Sequence, residues 1–82
     1  MEFFIGQICL FPWSWTPRGW AKCDGQVLPI QEYAALFSLI GTEFGGDGRT
    51  NFALPKMTPI KAASGGDVAF FINLQGIYPS RN

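Results

Sequence analysis

Trp20-Ala21-Lys22-Cys23-Asp24-Gly25-Gln26-Val27-Leu28 sets the architecture expected of this chain. Two β-prone segments, 20–23 and 26–28, flank Asp24-Gly25, and a two-residue Asp-Gly link between such segments is the strongest short-range hairpin signal. A β-hairpin is expected here, with Asp24 at the first central position of a type I′ turn.

Upstream, residues 4–11 (Phe-Ile-Gly-Gln-Ile-Cys-Leu-Phe) are rich in β-formers, apolar on both faces, and stop at Pro12, as a strand should. Residues 12–19, bounded by Pro12 and Gly19 and stiffened by Pro17, read as a loop. Downstream of Pro29 the apolar period changes. Tyr33, Leu36, Phe37 and Ile40 fall at i, i+3, i+4, i+7, so residues 32–40 predict a short amphipathic helix packed on the hairpin and stopped by Gly41. Residues 42–50 form a glycine-rich loop, closed by the apolar segment Phe52-Ala53-Leu54-Pro55. After the small-residue link Ala62–Asp67 comes a clear alternation. Val68, Phe70, Ile72 and Leu74 make the expected core face of a strand, and Ala69, Phe71, Asn73 and Gln75 a mixed face. Residues 78–82 read as a turn-like tail. The fold class is α+β: a small hairpin-centred β-sheet, one short helix, glycine-rich loops and a returning C-terminal strand.

With 82 residues the chain is a single domain near the lower limit of independent stability. Its Phe, Tyr and Trp content of 16% is more than one small core can hold. Part of the aromatic set must face outward, and the economical way to cover it is homo-oligomerisation. Phe3, Phe4, Phe11, Trp13, Trp15, Phe71 and Tyr78 are the candidate oligomer interface, with strand edges near 4–11 or 68–75 available for pairing between copies.

Six basic and six acidic side chains leave no net charge, which argues against nucleic acid as a partner and removes long-range repulsion between copies. No apolar run is long enough for a membrane span, and the first residues lack the basic region of a secretory signal. Cys9 and Cys23 lie in segments expected to face each other. They are either a disulfide staple, within a chain or between subunits, contributing about 2–4 kcal/mol, or two buried free thiols acting as small hydrophobes.

No constellation assembles for catalysis. With no histidine there is no imidazole base for Cys9 or Cys23, and Ser14, Ser38, Ser64 and Ser80 lie outside any nucleophile elbow. Two cysteines alone cannot complete a zinc shell. Gly45-Gly46-Asp47-Gly48-Arg49-Thr50 lacks the lysine and the strand-to-helix setting of a phosphate loop. Asp24 and Asp47 sit beside glycines, but neither has calcium-loop spacing. Each is explained by turn chemistry, Asp47 through hydrogen bonds to its own loop. No enzyme activity, cofactor or metal is expected.

The succession Phe4-Ile5-Gly6, Pro17-Arg18-Gly19-Trp20, Cys23-Asp24-Gly25-Gln26, Leu28-Pro29-Ile30, residues 35–41, Phe44–Thr50 and Phe52–Pro55 strongly resembles the phage tail-collar domain family, which includes microcystin-dependent proteins. Residues 71–82 are similar to that family's terminal segment. The resemblance divides the single 1–82 domain into an N-terminal collar part (1–57), a short linker (58–67) in place of the family's long insertion, and a C-terminal collar strand and tail (68–82). The insertion, with its histidine motif, builds the metal-containing receptor-binding head of short tail fibres. Without it, only the collar scaffold and its self-association carry over, through Trp20, Asp24, Gly25, Phe37, Gly46, Asp47, Leu54, Arg81 and the C-terminal run.

The expected function is a non-enzymatic, self-associating structural protein, a phage-tail-fibre-like collar module or the subunit of an extracellular fibre. Its partners would be further copies of itself, as trimer or filament, and other tail or fibre components. The alternative is an adhesin or carbohydrate-binding tip that meets a surface glycan through Trp13, Trp15 and the Gly45–Thr50 loop. Either role places the protein in an extracellular fibre or a virion or tail-like particle.

Overall fold

The computed structural model describes residues 3–80. In chain order its elements are β1 (Ile8–Phe11), β2 (Trp20–Lys22), β3 (Val27–Pro29), α1 (Ala34–Ile40), β4 (Asn51–Ala53), β5 (Ile60–Lys61) and β6 (Asp67–Asn73). This is the expected small α+β fold, with antiparallel strands, one short helix and a C-terminal strand that returns to pair with β1.

β6 is the spine. Its run Val68-Ala69-Phe70-Phe71-Ile72 has the composition of a strand buried on both faces. β1 pairs with one side of it, Ile8 opposite Ile72 and Phe11 opposite Ala69. β2 pairs with the other, Trp20 opposite Asn73 and Lys22 opposite Phe71. β3 and β4 form a separate two-stranded sheet. Residues opposite one another share a face, so Ile8, Ala21 and Ile72 look one way while Cys9, Lys22 and Phe71 look the other. The first face closes on the core of Ala21, Cys23, Leu28, Leu36, Phe52, Leu54 and Ile72. Each large apolar side chain fully buried there contributes about 1.5–3 kcal/mol.

The Asp24-Gly25 hairpin does not form, and the reason is local as well as topological. A type I′ turn needs positive φ at both central residues. Gly25 has it (φ 84°), but no residue other than glycine does among those described. Asp24 instead accepts the Gln26 N–H on its own carboxylate at 3.0 Å, an Asx turn. The two arms then diverge: the Cys23 N–H donates to the Phe70 carbonyl (2.9 Å), and the Leu54 N–H donates to that of Gln26 (2.9 Å). The hairpin the chain does make is β5–β6, with Ile60 opposite Val68. It is closed over residues 62–66 by the Ala62 N–H donating to the Gly66 carbonyl at 2.7 Å. The 58–67 segment therefore contributes a strand as well as a link.

The helix stripe sits where its period placed it. Leu36 is buried, and Tyr33, Phe37 and Ile40 pack against the core. The helix starts two residues later than 32 because 30–33 are spent in a turn. Gly41 ends it, its N–H returning to the Phe37 carbonyl. The N-terminal strand is shorter than 4–11. Phe4 makes only an isolated parallel bridge with Ile77, and the chain turns at Ile5-Gly6 before β1 begins.

Ile72 of the expected core face of β6 is buried in the core, with Phe70 and Leu74 packed against it, but the expected mixed face is buried as well. Ala69, Phe71 and Asn73, the expected mixed face, are all buried, while Val68 and Phe70 are half-buried. The burial of Asn73 is compensated. Its amide donates to the Phe4 carbonyl at 3.0 Å and its Oδ1 accepts the Gln75 N–H at 3.2 Å, tying the two ends of the chain together. β6 offers no free edge, so of the two edges expected to pair between copies only that of β1 is open.

Candidate functional site: an aromatic ladder beside an open sheet edge

The second face of the four-stranded sheet is roofed by aromatic rings. Phe11, on β1, lies 5.4 Å from buried Phe71 and 5.2 Å edge-on from Trp20, and Trp20 in turn meets Phe3 edge-on at 5.1 Å. From Phe11 the rings continue outward along the loop. Phe11 and Trp13 stack at 4.9 Å, nearly parallel (6°), and Trp13 and Trp15 stack at 4.9 Å (8°). Such contacts contribute about 0.5–1.5 kcal/mol each beyond the area they bury. Trp13 and Trp15 lie in a run of bends over residues 12–15, and this path sets the successive rings over one another. The ladder runs from the core to solvent, with Trp13 36% and Trp15 61% exposed.

Of the candidate interface residues, Phe4, Trp13, Trp15 and Tyr78 are exposed, and Phe3 and Phe11 are half-buried. Phe71 is not a surface residue: at 0% exposure it is held in the core beneath Phe11. Tyr78 shares a 2.7 Å hydrogen bond with Ser38 on α1.

Cys9 and Cys23 are both free thiols. They do not sit on facing strands, because β6 runs between β1 and β2. Two strand spacings of about 4.8 Å exceed the roughly 7 Å limit on Cα separation for a disulfide, so the staple within one chain is not made. Burial, reinforced by the nearby Asp24 charge, pushes the Cys23 thiol up to about 11. It lines a small apolar cleft of about 220 Å³ with Met57, Pro59 and Phe70.

The Gly45–Thr50 loop is organised by one side chain. Asp47 Oδ1 accepts the N–H groups of Arg49 (2.8 Å), Thr50 (2.8 Å) and Asn51 (3.1 Å), and Oδ2 accepts the Thr50 hydroxyl at 2.9 Å. These bonds, the Thr50 and Arg49 N–H groups foremost, hold its carboxyl well below the usual carboxylate range. The carboxylate is engaged with its own loop. Among the described residues there is no cluster of His, Cys, Asp or Glu that could hold a metal ion.

The family-scaffold residues are distributed along the framework. Trp20 joins the aromatic roof, and Asp24 and Gly25 turn the chain between the two sheets, with Asp24 bridged to Lys56. Phe37 packs on Phe52 at 5.4 Å, Leu54 is fully buried, and Gly46 crosses directly over β4. Arg81 lies outside the described residues. Asn73 was not legible as a key position, since a polar residue on an alternating strand signals an outward face.

The described part of the chain is thus a sheet roofed by rings, one short helix and a loop closed on the Asp47 side chain. Residues 6–59 match the family model Phage Tail Collar Domain, and the chain belongs to that family. The family is generally structural and not catalytic, and membership associates the chain with phage-tail-like assemblies. The match covers Trp20 to Leu54 of the scaffold positions and stops before β6. No curated protein and no solved structure matches the chain. Among the described residues, no helix is long and apolar enough to cross a membrane.

Proposed function

We propose that this collar domain is a non-enzymatic assembly module that associates with copies of itself, either as a closed collar or as the subunit of an extracellular or tail-like fibre. One observation carries the reading: Phe3 to Pro17 contains no charged residue, and it presents Phe4, Ile8, Leu10, Trp13 and Trp15 to solvent. So many large apolar side chains exposed from one uncharged stretch are unusual on a small monomer and are covered when copies associate. The neutral chain adds no repulsion to oppose it. Negative-stain electron microscopy of the concentrated chain tests this directly. Uniform rings or fibres are the expected result, and a field of unassociated particles at every concentration would count against it.

The exposed outer rung of the ladder favours a second reading, a glycan-binding tip. Trp13 is already stacked on Phe11 and Trp15, so the platform such a tip offers is the free face of Trp15. Among the described residues no hydrogen bond or ring contact joins it to the Gly45–Thr50 loop. Saturable glycan binding abolished by Trp15→Ala would establish this reading, and silence across a broad array would remove it.

A further inference from the structure

The geometry of β1 points to a particular mode of self-association: we infer that two copies join their β1 strands antiparallel about a two-fold axis at Cys9. This rests on the self-association proposed above and names one of its contacts: the joint is isologous and pairs two copies, so a ring or fibre is built from such pairs through a second contact. The direction of the main-chain groups fixes the free edge. The Asn73 N–H donates to the Gln7 carbonyl at 2.9 Å, while the Cys23 N–H donates to the Phe70 carbonyl, and the Leu74 N–H to that of Gly19. Odd-numbered residues of β6 therefore bond toward β1 and even-numbered ones toward β2. With Cys9 opposite Phe71 and Phe11 opposite Ala69, Cys9 and Phe11 bond inward. Ile8 and Leu10 aim their N–H and C=O groups away from the sheet.

A strand with that pattern meets a copy of itself well in only one register. Centred on Cys9, Ile8 faces Leu10 of the second copy and Leu10 faces its Ile8. Each pair exchanges both N–H···O=C bonds, and all outward groups are satisfied. A register centred on Leu10 would set Ile8 against Pro12, which has no N–H to give. One centred on Ile8 would set Leu10 against Gly6, whose N–H is already committed to the Asn73 carbonyl at 2.8 Å. The side chains agree with the hydrogen bonds. Ile8 and Leu10, 39% and 45% exposed, would cover one another across the joint. The edge carries none of the lysine or inward charge with which natural edges are usually blunted. An uncharged strand gives no electrostatic handle to a charged partner, and a second copy supplies the same neutral apolar surface.

The register places Cys9 against Cys9 at a non-hydrogen-bonded site. There the Cα atoms lie about 4.5 Å apart with their side chains on the same face, within the roughly 4.4–6.8 Å that a disulfide spans. The azo oxidant diamide makes this testable on the whole chain. Two Cys9 thiols lose two protons and two electrons, the S–S bond forms, and diamide is reduced to the hydrazine. The unmodified chain is expected to double its apparent mass from 9.1 kDa on a non-reducing gel and to return with reductant. Cys9→Ser is expected to abolish the product. The double variant Ile8→Cys, Cys9→Ser, whose thiol is at least as exposed, is expected to remain uncross-linked because Ile8 does not meet itself. Cross-linking by that variant, or its persistence in Cys9→Ser, would overturn the register. No cross-link in a chain that light scattering shows to be oligomeric would overturn the β1 joint and leave self-association standing. No cross-link in a chain that is monomeric would overturn both.

Discussion

Gly46→Ala is predicted to be among the most damaging small substitutions available in this chain. Gly46 has φ 96°, and a Cβ placed on it would run into the Cα of Phe52 and come within 2.9 Å of the Asn51 carbonyl oxygen. Both obstacles are main-chain atoms of β4, which cannot step aside as a side-chain tip would. Gly65 is the matched control, with φ 109° and nothing within 4 Å of the added methyl. The backbone strain common to both is about 1–3 kcal/mol, partly offset by about 0.4–1 kcal/mol from the stiffer unfolded chain. At Gly46 the collision must also push β4 off β3, disturbing Phe52 and Leu54, whose burial contributes about 1.5–3 kcal/mol each. With both burials lost the total at Gly46 reaches about 3–9 kcal/mol. A domain of this size holds only about 4–12 kcal/mol at about 0.05–0.15 kcal/mol per residue. Urea unfolding followed by tryptophan fluorescence should show Gly65→Ala folded with a modestly lower midpoint and Gly46→Ala largely unfolded in buffer. A Gly46→Ala variant within about 1 kcal/mol of Gly65→Ala would mean that the main-chain collision with β4 costs nothing, because strain alone would then explain both.

Removing rings at the two ends of the ladder should separate stability from surface. Phe71→Ala, in the core, is expected to cost about 3–5 kcal/mol, and exposed Trp15→Ala less than about 1 kcal/mol, measured by the same unfolding curves. In the native chain only Cys9 should react with a thiol reagent near neutral pH, since Cys23 is buried and its thiol is held protonated; both should react in urea, and a native Cys23 labelling at the rate of Cys9 would contradict the core placement. Because its folded-state thiol is raised above the ordinary value of 9.0 to about 11, Cys23 contributes stability that is complete below the ordinary thiol range and declines as pH rises through it. Asp47 has the opposite sign. Its carboxyl is held low by the loop N–H groups, so its contribution is complete above the ordinary Asp range near pH 4 and declines as pH falls below it. Asp47→Asn should lower stability at neutral pH and flatten that acid-side slope in thermal melts.

Local signals in the sequence were more dependable than pairing signals. The helix was legible because its stripe is set by residues within one turn of each other, and Leu36, Phe37 and Ile40 pack where their spacing put them. A turn at Asp24-Gly25 was legible too, but not the strand partners on either side of it. Those are decided by residues far along the chain, Ile72 for Ala21 and Phe52 for Leu28. The same long-range choice buried the second face of β6 as well as the first, since alternation identifies two faces but not that a roof of rings will cover the other. The aromatic surplus pointed to a surface cluster, yet the stacking of Phe11, Trp13 and Trp15 in series depends on a loop path that the residue types alone do not specify. Asp47 was the most transparent site residue, because an aspartate amid glycines has its own backbone N–H groups within reach.

Self-association is decided by the molar mass of the chain in dilute neutral buffer, by light scattering after size-exclusion chromatography, with and without reductant. The expected result is a mass well above the 9.1 kDa of one chain, as a discrete oligomer or as large fibre-like particles. A single species at the monomer mass, unchanged on concentration, would contradict it.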